Sequence, residues 1–313
     1  PRARSIALSA VAVVVAVAFA YLSNAFLLRL GTLVLMYAAL GQAWNFIGGY
    51  TGYPAFGNTV FFGIGAYATA VVMLHGGPFV AGLAAATLAA SACAVLLGLV
   101  VLRLQGHYFA IVTLGIGEVA RELVTNSDAL GAATGLVLPI ANDLKLFYLL
   151  MLACVIGIAA TTYAMERARL GYALIAIREN EGAAGSLGID TQRYKITAFA
   201  LSAAFSGVVG GVYSYWATFI DPSIVFTPAI SVQAILVALL GGPGTVVGPI
   251  LGSLVLESAA NLIWGNLLSW HDAFLGAMIV VAVMLLPRGM TGLYPFHRVS
   301  LASAWDYVRG NAV

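Results

Sequence analysis

A few groups of side chains in this 313-residue chain have the types and spacing to do chemistry. Glu118, Arg121 and Glu122 fall together on one candidate helix, and residues three or four apart share a helix face, so Glu118 and Arg121 can pair. Glu257 stands alone in the middle of an apolar stretch, where a carboxylate has to be protonated, paired through the fold or wetted. A polar run, Arg178-Glu179-Asn180-Glu181, lies in the longest hydrophilic loop. Cys93 and Cys154 both sit in apolar runs and read as small core residues rather than a disulfide or metal pair. His75, His107, His271 and His297 stand at loops or stretch ends, none at ligand spacing from another His or Cys, so a metal site is not expected. There is no His-Glu-x-x-His and no Gly-x-x-x-x-Gly-Lys-Ser/Thr phosphate loop. Ser206, in Ala204-Phe205-Ser206-Gly207, lacks the leading glycine of a nucleophile turn. What remains is ion pairing and solute or proton binding in an apolar medium, with neither ATP hydrolysis nor bond cleavage in the chain itself.

The elements that position these groups follow from composition. Asp, Glu, Lys and Arg make up 8% of the chain and hydrophobic residues 62%, against roughly 25% charged residues in a soluble domain. So few charges cannot coat a globule of this size, and disorder needs the opposite composition. A net charge of +2 does not point to nucleic acid. The expected fold is therefore all-α, a polytopic membrane protein, since each crossing takes roughly 20 apolar residues. Clear stretches cover 5–23, 25–47, 56–74, 78–102, 146–164, 195–217, 244–264 and 271–287; shorter ones cover 108–124 and 230–240, giving about ten membrane segments, some broken or re-entrant. Arg2 and Arg4 before the first stretch, with Ala18-Phe19-Ala20, imitate a signal peptide. A retained first helix is expected, because the chain enters a second stretch at Ala25.

Ten crossings put the N-terminus, Arg103, the loop 165–195 and the C-terminal tail on one side, and these hold eleven of the 14 basic residues. The positive-inside rule makes that side cytoplasmic, with both termini inside. Arg29 reads as an interface residue. The opposite side receives His75, the loop 125–144 and the Asp221-Pro222-Ser223 turn.

Glycine clusters at Gly48, Gly49, Gly52, Gly57, Gly63 and Gly65, and again at Gly241, Gly242, Gly244, Gly248 and Gly252. Gly207-Gly211 and Gly244-Gly248-Gly252 read as small-residue stripes that let helices approach closely. Pro54, Pro243 and Pro249 add helix breakers, so the two clusters predict interrupted helices at matching places of a duplicated core.

The loop 165–195 predicts two short helices, 172–178 and 183–187, the second stopped by Gly188. Such helices between long crossings either lie on the bilayer or dock a partner helix-in-groove. Its run Ala176-Ile177-Arg178-Glu179-Asn180-Glu181, with Ala183-Ala184, Leu187-Gly188-Ile189 and Arg193-Tyr194-Lys195, resembles the ATPase-coupling loop of branched-chain amino acid ABC importer permeases, the LivM-like branch of the LivH/LivM family. Other blocks are similar to that family in order: Gly49-Tyr50-Thr51-Gly52 with Phe61-Phe62-Gly63-Ile64-Gly65-Ala66-Tyr67; Tyr108 to Leu114 with Glu118 and Arg121; Ser206-Gly207 with Gly210-Gly211; and Leu240-Gly241-Gly242-Pro243-Gly244 with Gly248-Pro249. The likeness covers roughly 45–290. Gly182 interrupts the wider Glu-Ala-Ala importer motif, and Ala55, Asn58 and His107 depart from the Ser, His and acidic residue common there.

The resemblance implies a single permease domain over 1–313, multi-pass in a bacterial cytoplasmic (inner) membrane, with the loop 165–195 inside it. It implies amino acid import by alternating access, with Leu, Ile and Val as solutes. It further implies two cytoplasmic ABC ATPase subunits that bind the ATP and Mg, a second, LivH-like permease and an outer solute-binding protein; no cofactor is expected in this chain. Ile175, Ile177, Arg178, Glu179, Asn180 and Glu181 are the expected coupling residues, Ile175 and Ile177 as apolar anchors. Tyr53, Asn58, Thr113, Glu118 and Glu257 are the expected path residues. The competing reading is an ion-coupled secondary transporter using Glu118 or Glu257 as its ion site.

Overall fold

The structure is a computed structural model that describes residues 2–104, 106–141, 143–264 and 289–290. Its helices are α1 (Arg2–Leu22), α2 (Ala25–Asn45), α3 (Gly48–Thr51), α4 (Asn58–Leu74), α5 (Phe79–Val101), α6 (His107–Thr125), α7 (Leu144–Glu166), α8 (Arg169–Glu179), α9 (Glu181–Ser186), α10 (Thr191–Ala217), α11 (Pro222–Val225), α12 (Pro228–Gly241) and α13 (Gly248–Trp264). Two dipeptide strands, β1 (Leu136–Val137) and β2 (Phe219–Ile220), pair antiparallel. Five helical stretches are long and apolar enough to cross a bilayer: Ala25–Thr51, Phe79–Val101, Leu144–Glu166, Thr191–Ala217 and Pro222–Gly241. An all-α membrane architecture is therefore present. Of the apolar stretches read from the sequence, 271–287 lies outside the described residues, as do His271, His297, Arg288, Arg298 and Arg309.

The centre of the bundle is α10 with α4 and α5 against it. Small residues set the spacing: a Cβ on Gly207 lies 2.7 Å from Ala90, and one on Gly65 lies 2.0 Å from the Gly207 carbonyl. Gly207 and Gly211 thus form the expected contact stripe, packed mainly against α5, while Gly210 meets α4 at Phe62. The second stripe is not one helix face. Gly244 sits at φ +75° in the turn between α12 and α13, and only Gly248 and Gly252 are helical, because Gly242 and Pro243 end α12 first. Gly252 and Gly248 then let α13 lie back along α12, against the Val237 and Gly242 carbonyls.

Two helices are broken in depth. Asn58, the first residue of α4, lies beside Ser202 and Ser206, 11 to 15 residues into the 27-residue α10. At 1.5 Å per residue that is some 16 to 22 Å along a helix of about 40 Å. The chain reaches this level from α3 through an unwound segment, 52–57. From the other end, the stretch after β2 descends through α11 to the same level, where the Thr59 hydroxyl is 3.1 Å from both the Val225 and Thr227 carbonyls. The Ser231 hydroxyl accepts from the Thr59 N–H at 2.8 Å, so α4 and α12 start face to face and run to opposite ends.

Candidate functional site

The loop predicted at 165–195 folds as α8 and α9, each longer or earlier by a few residues than the pattern suggested. Asn180 is the joint between them: its side chain caps α9 by accepting from Ala183 N at 3.0 Å. The loop is then fastened to its own chain. Lys195, 3% exposed in the first turn of α10, donates to Glu181 at 2.6 Å, to the Tyr53 hydroxyl at 3.0 Å and to the Leu102 carbonyl at 2.9 Å. Tyr53 donates in turn to the other Glu181 oxygen. Burial pushes the Glu181 carboxyl up, but the hydrogen bonds from Lys195 and Tyr53 and the ammonium charge outweigh it and hold it below the ordinary carboxylate range. Burial first, then the bond to Glu181, raises the Tyr53 phenol, which keeps it a donor.

Arg178 makes a second fastening. Its guanidinium donates to the Gly49 carbonyl at 3.1 Å, and it lies against both Gly52 and Gly244, where added Cβ atoms meet it at 3.1 and 2.9 Å. Gly52, at φ +74°, and Gly244 are positions where a side chain is disfavoured on backbone grounds as well. Asn45 clamps the same turn, accepting from Gly244 N at 2.7 Å and donating to the Thr245 carbonyl at 2.9 Å. The two glycine clusters therefore meet at one end of the bundle, with Arg178 between them. Tyr50 adds a bond to Glu166 at 2.5 Å, tying α3 to the end of α7.

These contacts place the expected coupling residues unevenly. Glu181 turns into the chain, while Arg178, its side chain 38% exposed, bridges the Gly49 carbonyl and Glu179 at the surface. Ile177 is buried beside Leu174, so of the two expected anchors only Ile175 faces outward, alongside Tyr172, with Glu179 on the same exposed loop. Leu187, just past α9, is among the most exposed apolar side chains at this end.

The expected path residues fall in four places. Tyr53 belongs to the Lys195 cluster. Asn58 and Thr113 line the break. Asn58 is buried with its Oδ1 unpartnered, and the Thr113 hydroxyl accepts from Phe56 N at 3.1 Å. Glu257, 4% exposed on α13, accepts from Gln233 on α12 at 2.6 Å, a neutral partner. Glu118 pairs with Arg121 at 2.7 Å on the outer side of α6, away from the others. Lys195, Gln233, Asn45 and Glu166 were not singled out from sequence for a role at the site. Lys195 carried a signal, as the last cation before a long apolar run of its helix.

Helices broken at mid-depth around buried polar groups, with an amphipathic loop fastened to one of the breaks and to the α12–α13 turn, define a membrane transport subunit. The comparison with known proteins agrees. The family described as branched-chain amino acid transport system / permease component matches residues 26–283, and the chain belongs to it. It is 31% identical to the high-affinity branched-chain amino acid transport system permease protein LivM of Escherichia coli (strain K12), over 88% of this chain and 72% of that protein. The LivM protein of Salmonella typhimurium (strain LT2) matches equally, at 31%. The permease protein LivH of Escherichia coli (strain K12) is 29% identical over 44% of each chain. No solved structure matches.

Proposed function

We propose that this chain is one permease of an ATP-driven importer of branched-chain amino acids, a single translocation domain with about ten membrane segments that holds no cofactor and hydrolyses nothing itself. The observation that carries this is the fastening of α8 and α9 to the break at 52–57 and to the α12–α13 turn through Arg178 and Glu181. In this reading ATP and Mg are bound by two partner ATPases that dock on the outward face of the loop, over Tyr172, Ile175 and Glu179. Their closure moves the loop, and Arg178, Glu181 and Lys195 pass the motion to the segments 52–57 and 242–247. Asn58, Thr113 and the ends of α4 and α12 then repack between two access states. A LivH-like second permease completes the path, and an outer binding protein delivers solute. The loop end faces the cytoplasm of a bacterial inner membrane, with both termini on that side.

The test is uptake into liposomes. The chain, purified with whatever ATPase and permease subunits accompany it, is reconstituted with labelled leucine and its binding protein. ATP-dependent accumulation supports the reading. Uptake by the lone chain, driven by an ion gradient and indifferent to ATP, overturns it and favours a secondary transporter.

A further inference from the structure

α6 buries one narrow stripe, Phe109, Thr113 and Gly117, against the bundle. Ile111, Gly115, Glu118 and Glu122 recur at helical spacing on the opposite side; Ile111 and Glu122 are exposed, and a Cβ on Gly115 would meet open space. The depth of this face is fixed by its neighbours. A Cβ on Gly117 lies 3.6 Å from Thr59, the residue at which the two broken helices meet. Glu118 is thus level with the middle of the bundle, not with either end. There the Glu118 and Arg121 side chains form a 2.7 Å pair that is 39% and 37% exposed, and Glu122 lies 3.6 Å from the same guanidinium. Ionised groups at mid-depth face protein or water, because lipid contact there is costly. No other charged side chain among the described residues pairs with them.

We propose that Glu118 and Arg121 form a binding station for the charged head of a zwitterionic amino acid, on a water-filled face of α6 that the second permease covers. The carboxylate and guanidinium match the solute's ammonium and carboxylate, which opens their mutual pair and replaces it with two charge-assisted hydrogen bonds. Ile111 and Leu114, both exposed on the same helix two turns and one turn before Glu118, offer contact to an aliphatic side chain. The path therefore runs along the outside of this chain rather than through its core, whose polar groups at Asn58 and Glu257 are closed in. The proposal rests on the permease reading above.

Thiol labelling tests it in the reconstituted transporter. Cys93 and Cys154 are first replaced by Ala, and Leu114→Cys is introduced. A membrane-impermeant, water-borne thiol reagent should label Leu114→Cys in the assembled complex, and leucine should slow the labelling. Labelling only by a lipid-soluble reagent, or labelling that leucine leaves unchanged, overturns the station. Glu118→Gln should leave assembly intact and lower ATP-driven leucine uptake by about tenfold, the loss of one charge-assisted bond. Wild-type uptake from an intact complex also overturns the station. The permease reading is scored separately, by whether uptake by the unmutated complex requires ATP.

Discussion

Among the described residues, two ion pairs of nearly equal length live in opposite surroundings. Lys195–Glu181 is 2.6 Å long, its ammonium 4% exposed and shared with Tyr53 and the Leu102 carbonyl. Glu118–Arg121 is 2.7 Å long, both partners more than a third exposed, both on one helix. The first is closed: four segments of the chain supply it, and each of its groups is satisfied internally. The second is open: a single helix supplies it, and its remaining hydrogen-bonding capacity faces out. Closed pairs fix geometry and punish the loss of one partner. Open pairs contribute little to stability and remain free to exchange partners. In the proposed mechanism the first transmits motion and the second meets solute.

Breaking the closed pair is expected to have the largest effect. Lys195→Met leaves the Glu181 carboxylate half-enclosed without its cation, at a cost of about 3–5 kcal/mol; the thermal unfolding midpoint of the purified chain in mild detergent should fall accordingly. A midpoint equal to the unmutated chain's places Lys195 outside any joint. Acid should loosen the same cluster more gently. Because the folded chain holds Glu181 below its unfolded value, its contribution is complete above about pH 4.3 and is lost as pH falls through the lowered value. Amide exchange in α9 should therefore speed up on acidification below that point, relative to α6. The smallest effect belongs to the open pair: Glu118→Gln should change the unfolding midpoint by the equivalent of less than about 1 kcal/mol. A loss as large as that for Lys195→Met makes Glu118 a structural residue.

Much of the architecture was legible because long apolar stretches between charged loops have one solution in lipid. The break after α3 and the α12–α13 turn were legible too, since Pro54 and the Gly242-Pro243-Gly244 turn cannot continue a helix; the break between α11 and α12 was not legible in the same way. Their partners were harder. Lys195 acts through Tyr53, Leu102 and Glu181, and no local pattern announces a contact across 142 residues. The Gln233–Glu257 bond could have been read: the two residues stand eight before Gly241 and nine after Gly248, so a helical hairpin folded at that turn sets them side by side. Ile177 misled for a different reason. With Leu174, Ile175 and Ile177 all apolar, α8 has no single hydrophobic face in its sequence, and only the packing under it shows which side is inner.

The central claim is that the loop, the break at 52–57 and the α12–α13 turn move as one body. Nitroxide labels at exposed Ser186 in α9 and Val247 in the α12–α13 turn measure it by pulsed electron resonance in the reconstituted complex. Their distance distribution should be the same without nucleotide and with ATP trapped, while the distance from Ser186 to exposed Val137 in β1 at the far end changes. A Ser186–Val247 distance that shifts with ATP as much as the Ser186–Val137 distance contradicts the account.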